Sequence, residues 1–322
     1  MTTTFPNLYA ETRLIAGHPT QLVASWDLSS SSSPPSPARP YVVVIPGNPG
    51  IISLYKPFLD RLSKRAKDKA NVVSMSYCSQ DPNDLTSDQK KVQTKSASDM
   101  KEQIEHKLAV MDRLIPAGAD VTIIAHSLGC YMTLQLLNSD RLEKYRVRNV
   151  AFLCPVIGQM HESQTGQWFG PMVKNHPYLA RALIYGFTSI PRFLLWRMVS
   201  SKLEEIFHPP ESHRGYMFDA IVTFLKAGRR GIVNAMTLGE EAIDLLRGYH
   251  VDDLLRHKDR VVVFYTRSDH WVPKGMYENI LEEYPDMKIC AVKCAHAFNL
   301  HYSEEMVEKL DEFLADAIEE NE

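Results

Sequence analysis

The chain has 322 residues, of which 44% are hydrophobic, 23% charged and 9% aromatic, and its formal net charge is −3. Those fractions exclude wholesale disorder, collagen-like and coiled-coil chains. The near-neutral charge, with no zinc-finger or RNA-binding signature, offers nucleic acid nothing to hold, so no nucleic-acid partner is expected. The length suits two ordinary domains or one large α/β domain with an insertion.

The elements read in chain order as follows. Residues 9–27 form a hairpin, with Thr20 to Trp26 its clearer strand. The serines and prolines of residues 29–37 read as an exposed linking loop. Tyr41-Val42-Val43-Val44-Ile45 is a continuous apolar, β-branched run, the mark of a strand buried on both faces of a parallel sheet. A helix over Ser53–Lys67, a strand over Asn71–Tyr77 and a polar loop over Asp81–Lys95 follow. The next helix, Ser98–Ile115, carries Ile104, Leu108, Met111 and Ile115 as its buried stripe. Then come the strand Asp120–Ala125, the helix Leu128–Leu137 and the strand Val150–Cys154. After a long interval come the strand Arg260–Tyr265, the helix Met276–Tyr284, the strand Met287–Lys293 and a closing helix, Glu304–Ile318. Strands alternating with helices predict a mostly parallel, doubly wound sheet. The interval is too long for a crossover connection. The expected organisation is therefore a core of residues 1–157 and 259–322 with a helical cap, 158–258, inserted in it.

The five cysteines, Cys78, Cys130, Cys154, Cys290 and Cys294, are odd in number and scattered, which fits a reducing compartment better than a disulfide framework. Cys290 and Cys294 are close, but no second Cys/His pair completes a metal site. The polar Met1–Tyr9 lacks the apolar centre of a signal peptide, and Glu319-Glu320-Asn321-Glu322 is no peroxisomal, retention or prenylation signal. No run of about 18 apolar residues predicts a simple membrane-spanning helix.

The strongest chemical feature is Ala125-His126-Ser127-Leu128-Gly129, between a predicted strand and a predicted helix. This is the G-x-S-x-G nucleophile elbow with Ala for the first Gly. A residue on so sharp a turn is strained, and its neighbours two positions away must be small. A serine there would also serve as a plain helix N-cap. Pro46-Gly47-Asn48-Pro49-Gly50 follows the Tyr41–Ile45 strand, where this architecture supplies one oxyanion amide. Proline has no N–H, so Asn48 is the first candidate donor and Gly47 the second, with Leu128 the partner amide after the nucleophile. Alone, the segment reads as an ordinary Pro/Gly turn.

A serine nucleophile needs a base and an orienting acid, in the order Ser, acid, His in this fold. Asp269 follows the Arg260–Tyr265 strand and His296 follows the Met287–Lys293 strand. Serine, acid and base all fall at carboxyl ends of strands. His270 shares its loop with Asp269, His301 belongs in or near the last helix, and His126 adjoins the serine with a structural role expected. Asp253 and Asp259 precede their strand and sit at its wrong end.

These residues resemble the lipid droplet-associated hydrolase family of α/β hydrolases over nearly the whole chain. The resemblance is carried by Ile45-Pro46-Gly47-Asn48-Pro49-Gly50, Gln103-Ile104-Glu105-His106-Lys107-Leu108-Ala109, His126-Ser127-Leu128-Gly129 and His296-Ala297-Phe298. It implies a serine hydrolase of lipid droplets and endoplasmic reticulum, with sterol or other lipid esters as substrates and Ser127, Asp269 and His296 at the triad positions. The serine–proline tract reads as an addition, and Ala125 departs from the commoner Gly. Physically, Gln103–Ala109 reads as a packed amphipathic helix, Ile104 and Leu108 toward the sheet, Glu105 and Lys107 off that stripe.

In the cap, Tyr178–Phe187 and Ile190–Val199 are the most apolar stretches, with Arg181, Arg192 and Arg197 interspersed and Pro191 splitting them into two helices. Large apolar residues beside basic ones suit an element lying in a headgroup layer. They equally suit a cap packed on the core and lining an acyl pocket. The expectation is a carboxylic ester hydrolase acting on a lipid ester without metal or organic cofactor. It would meet a droplet or endoplasmic reticulum surface through residues 178–199, beside a cytosolic pool. A serine rather than aspartate elbow argues against epoxide hydrolases and dehalogenases. A soluble carboxylesterase or thioesterase, and a weakly active droplet-organising protein on the same fold, are the competing expectations.

Overall fold

The computed structural model describes residues 5–29, 39–67, 69–78, 80, 99–207, 211–227 and 229–319. The serine–proline tract after Ser29 and the polar stretch Asp81–Lys95 lie outside the described residues. The strands are β1 (Tyr9–Ile15), β2 (His18–Ala24), β3 (Tyr41–Ile45), β4 (Asn71–Met75), β5 (Asp120–His126), β6 (Arg146–Leu153), β7 (Val261–Tyr265) and β8 (Lys288–Ala291). They form one sheet in the order β1-β2-β4-β3-β5-β6-β7-β8. Only the β1/β2 and β2/β4 pairs are antiparallel; from β4 to β8 every pair is parallel. The hairpin closes through Ala16 and Gly17, both at positive φ (50° and 82°), the two-residue turn whose twist matches its strands.

The helices that flank the sheet are α1 (Lys56–Ala66), α2 (Met100–Leu114), α3 (Leu128–Leu137), α10 (Met276–Glu283), α11 (Ser303–Lys309) and α12 (Asp311–Glu319). Between β6 and β7 the chain makes α4 (Gln164–Asn175), α5 (Pro177–Ser189), α6 (Arg192–Phe207), α7 (Glu211–Ala227), α8 (Arg229–Leu245) and the short α9 (Val251–Leu255). The break between α5 and α6 falls at Ile190-Pro191, where proline removes a donor and fixes φ.

Alternate residues of the central strands enter different layers. Tyr41, Val43 and Ile45 pack with α2, α3 and α10, whereas Val42 and Val44 pack with α1, α11 and α12. The uninterrupted apolar run in β3 thus follows from two covered faces.

Among the boundaries that differ from the sequence expectation, three involve whole turns or strand extensions. β6 begins at Arg146, because Arg146 and Arg148 both bond Asp120 on β5 and extend the pairing into a polar stretch. The first helix opens with a 3₁₀ turn, Ile52–Tyr55, before α1. The closing helix is two, with Leu310 between them. Lys107 corrects a further expectation: it is fully buried. Its Nζ donates to Gln103 Oε1 (3.2 Å) and lies 4.0 Å from the Tyr77 ring centroid, and burial pushes its pKa down to about 8. Periodicity misplaces it because α2 is covered on a second flank, where the Thr20 hydroxyl of β2 meets His106 Nε2 at 2.6 Å.

The loop after β3 is fixed by the Tyr77 ring. Tyr77 donates its hydroxyl proton to the Pro46 carbonyl (2.7 Å), and the Gly50 N–H donates to Gln80 Oε1 (2.7 Å). A Cβ on Gly50 would lie 2.2 Å from the ring. Gly50→Ala is therefore expected to destabilise the fold by about 2 kcal/mol or more, through overpacking against a ring hydrogen-bonded in place; urea denaturation of the variant measures it.

Candidate active site

Ser127 joins β5 to α3 in a single residue. Its backbone is at φ 53°, ψ −123°, a conformation that costs a non-glycine residue about 1–3 kcal/mol. Ser127 N–H donates to Leu153 O (3.0 Å), and its carbonyl accepts from Cys130 (3.0 Å) and Val156 (3.2 Å), so the neighbouring backbone holds the turn. The side chain caps nothing. The hydroxyl lies instead 2.8 Å from His296 Nε2. The turn is tight enough that a Cβ on Gly129 would stand 2.5 Å from the Pro46 carbonyl, which is why this position is glycine.

His296 stands on the loop after β8 and Asp269 on the loop after β7. His296 Nδ1 and Asp269 Oδ2 are 2.7 Å apart, and the Trp271 N–H donates to the other carboxylate oxygen, Oδ1 (2.8 Å). The Asp269 side chain is 3% exposed. With an acceptor on Nδ1–H, the Nε2 lone pair of His296 is directed at the serine hydroxyl proton. The structure thus brings Ser127, His296 and Asp269 into one hydrogen-bonded chain. Of the rivals, His270 is exposed, Asp253 pairs with His250 (3.3 Å) and His301 follows the short turn Phe298–Leu300, whereas His126 lies beside His296, its ring centroid 5.2 Å away.

The three oxyanion candidates separate. The Gly47 amide donates to the Tyr55 hydroxyl (2.8 Å), so it is committed and is removed from the donor set. Glycine is required there for another reason: a Cβ would lie 2.8 Å from Ser127 Cβ. The amides of Asn48 and Leu128 donate to no group among the described residues. Leu128 opens α3, where helix geometry leaves the amide without an intrahelical acceptor. Asn48 is anchored through its side chain, whose Nδ2 donates to the Ala235 carbonyl of α8 (2.8 Å).

A cavity of about 40 Å³ adjoins the serine, lined by Asn48, Ser127, Leu128, Val156, Met160, Phe169, Gly239 and Trp271. Phe169 of α4 and Gly239 of α8 belong to the segment between β6 and β7. Sequence reasoning found the polar residues through their motifs. It missed Tyr55, Trp271 and the apolar lining, which carry no local signature and are recognisable only once the loops meet.

His126, next to the serine, is held neutral by its surroundings. Burial, and then the neighbouring His296, push its pKa down to about 3. His106 is likewise held well below the ordinary imidazole value, first by burial and then by Lys107.

An eight-stranded sheet with an antiparallel edge, and a serine, histidine and aspartate joined at the strands' carboxyl ends, place this chain among the α/β hydrolases. Solved structures agree in fold. A carboxylesterase of Nitrososphaera gargenis is similar with a TM-score of 0.63 and 14% identity, over 96% of this chain and 100% of that one. An epoxide hydrolase of Vigna radiata is similar with a TM-score of 0.62 and 14% identity, over 97% and 100%. The chain belongs to the lipid droplet-associated hydrolase family, whose sequence model matches residues 38–299. Among its relatives are the lipid droplet-associated hydrolases of Homo sapiens (27% identical, covering 96% of this chain and 95% of that one) and Drosophila melanogaster (26%, covering 82% and 85%).

The two buried histidines, His126 and His106, set a pH dependence, in the same direction as the lowering of His213 and His257 by burial. In the unfolded chain each binds a proton below about pH 6.5; in the folded chain neither does until far lower. Stability is therefore full above that pH and falls as acid is added, by up to about 3 kcal/mol per pH unit for two groups. Urea denaturation at pH 7.5, 6.0 and 5.0 is expected to give progressively lower midpoints.

Proposed function

We propose that this hydrolase cleaves lipid esters, such as sterol esters or acylglycerols, at a lipid droplet surface through a serine acyl-enzyme. The observation that carries the reading is the Asp269–His296–Ser127 chain, with contacts of 2.7 and 2.8 Å, beside two uncommitted amides. His296 Nε2 takes the Ser127 proton as Oγ attacks the ester carbonyl. The oxyanion of the tetrahedral intermediate is received by the Asn48 and Leu128 amides. Asp269 keeps Nδ1–H directed and stabilises the imidazolium. That imidazolium then protonates the departing alcohol. Water, deprotonated by the same histidine, attacks the acyl-enzyme, releases the acid and restores the serine.

Residues 158–258 act in this reading as the cap. The pocket beside Ser127 is lined by Phe169 and Gly239 of this segment as well as by the core loops, so the cap supplies one wall of the space an acyl group would enter. The outer side of the same segment supports a lipid-facing role. Tyr178 is 83% and Phe193 71% exposed, and Leu179, Phe187 and Met198 are exposed as well. Apolar side chains grouped on two successive helices, with exposed Arg197 among them, suit immersion in the headgroup layer of a droplet or of the endoplasmic reticulum. No described helix is long and apolar enough to cross a membrane. The relatives named for lipid droplets support the same surface.

Two experiments test the reading. Wild type is expected to label with a fluorophosphonate probe and to hydrolyse p-nitrophenyl esters; Ser127→Ala is expected to stop labelling and lower kcat by about 10⁴-fold or more with the fold intact. Undiminished turnover in that variant removes Ser127 as nucleophile. The triple change Tyr178→Ser, Phe187→Ser and Phe193→Ser is expected to keep activity on the soluble ester and lose binding to triacylglycerol droplets coated with phospholipid. Flotation of the variants with such droplets measures it, and binding equal to wild type refutes the cap contact.

A further inference from the structure

A second histidine stands inside the site without a part in the steps above. His126 precedes the serine and is buried. Its Nε2 is 2.8 Å from the His296 carbonyl, and its Nδ1 is 2.6 Å from the Tyr55 hydroxyl. The Tyr55 oxygen in turn receives the Gly47 N–H at 2.8 Å. The chemistry of these partners fixes every proton. A carbonyl only accepts, so Nε2 carries the hydrogen. The neutral ring then offers a lone pair at Nδ1, which accepts from the Tyr55 hydroxyl, and that oxygen accepts from the Gly47 amide. The depressed pKa of His126 fits this, since a second proton on the ring would reverse the Tyr55 bond.

The chain Gly47 → Tyr55 → His126 → His296 therefore ties together three backbones that each carry a reacting group: the loop bearing the Asn48 amide, the elbow bearing Ser127, and the loop bearing His296. Packing supports the connection, with the His126 ring centroid 5.2 Å from that of His296 and 4.9 Å from that of Phe298. Resting on the serine-hydrolase reading above, we infer that His126 and Tyr55 are positioning residues for ester hydrolysis, holding the Asn48 amide and the His296 ring in register with Ser127 Oγ. Buried hydrogen-bond networks of this kind have little slack, because each member lacks an alternative partner.

The test uses Tyr55→Phe, His126→Phe, His126→Gln and the double variant Tyr55→Phe/His126→Phe, on the whole chain. Active sites are counted by fluorophosphonate titration, so that misfolded protein is not scored as slow enzyme. Displacements approaching 1 Å cost up to about 100-fold in rate. Tyr55→Phe and His126→Phe are expected to lower kcat per titrated serine by about 10–100-fold with KM for p-nitrophenyl butyrate changed less than about threefold. A trifluoromethyl ketone, whose adduct places an oxyanion in the site, is expected to bind more weakly by the same factor as kcat falls. His126→Gln, which keeps a donor for the His296 carbonyl, is expected to recover part of the rate. The double variant is expected to be no slower than His126→Phe, since both changes break one chain. Unchanged kcat per titrated serine, whatever the loss in thermal stability, overturns the inference. So does weakened ketone binding without a fall in kcat. Failure of the underlying reading looks different: the wild type itself does not titrate, or Ser127→Ala still turns over.

Discussion

The structure depends on one sharp turn. β5 passes into α3 through a single residue, and Ser127 takes the strained backbone that this demands. Everything adjoining the serine is compressed by that geometry. Gly129 and Gly47 lack side chains because the Pro46 carbonyl and Ser127 Cβ occupy the space a methyl would need. The strain is held by backbone bonds on both sides, from Ser127 to Leu153 and from Val156 and Cys130 back to Ser127. A serine freed of the turn would relax into a helix cap and turn its hydroxyl to the backbone. The fold spends stability at this point to keep the hydroxyl directed outward.

The parallel sheet converts that local strain into a site. Every strand from β3 to β8 runs in the same direction, so the loops after β3, β5, β7 and β8 meet on one rim. Residues as distant in sequence as Gly47, Ser127, Asp269 and His296 are thereby collected without any local pattern that links them. Burial then supplies the electrostatics. The same dry surroundings that keep His126 neutral strengthen the contacts of Asp269 and His296.

The framework was legible in the sequence because parallel strands buried on both faces leave long apolar runs, and because the elbow and the Pro-Gly-Asn-Pro-Gly loop carry steric demands that few residues satisfy. Lys107 was misread for a physical reason. Amphipathic periodicity assigns one covered face to a helix, whereas α2 is covered on two and closes over an ammonium group that lies against the Tyr77 ring. Gly47 stands as the second donor candidate in the sequence because elimination of the prolines is all the sequence offers there, while in the structure a tyrosine eight residues on takes its amide. Tyr55 and Trp271 were invisible, since a side chain on a 3₁₀ turn and a backbone N–H beside a carboxylate become specific only after the loops have converged.

The segment between β6 and β7 has two apolar sides that face different surroundings. Its inner side, through Phe169 and Gly239, lines the pocket beside Ser127. Its outer side leaves Tyr178 and Phe193 in water, at a free-energy cost that soluble monomers rarely accept for a group of large side chains. The two sides are mechanically joined, because α5 packs on both α4 and α8, and α8 also holds the Asn48 side chain through Ala235. In the function proposed for this chain, that arrangement connects the lipid-facing residues to the pocket beside the serine. A lipid surface that takes up the outer residues removes the cost of their exposure, and the helix that carries Tyr178 packs on the two helices that line the pocket. The Asn48 link adds a consequence within that proposal: any movement of α8 reaches the loop after β3, whose Asn48 amide is the proposed oxyanion donor.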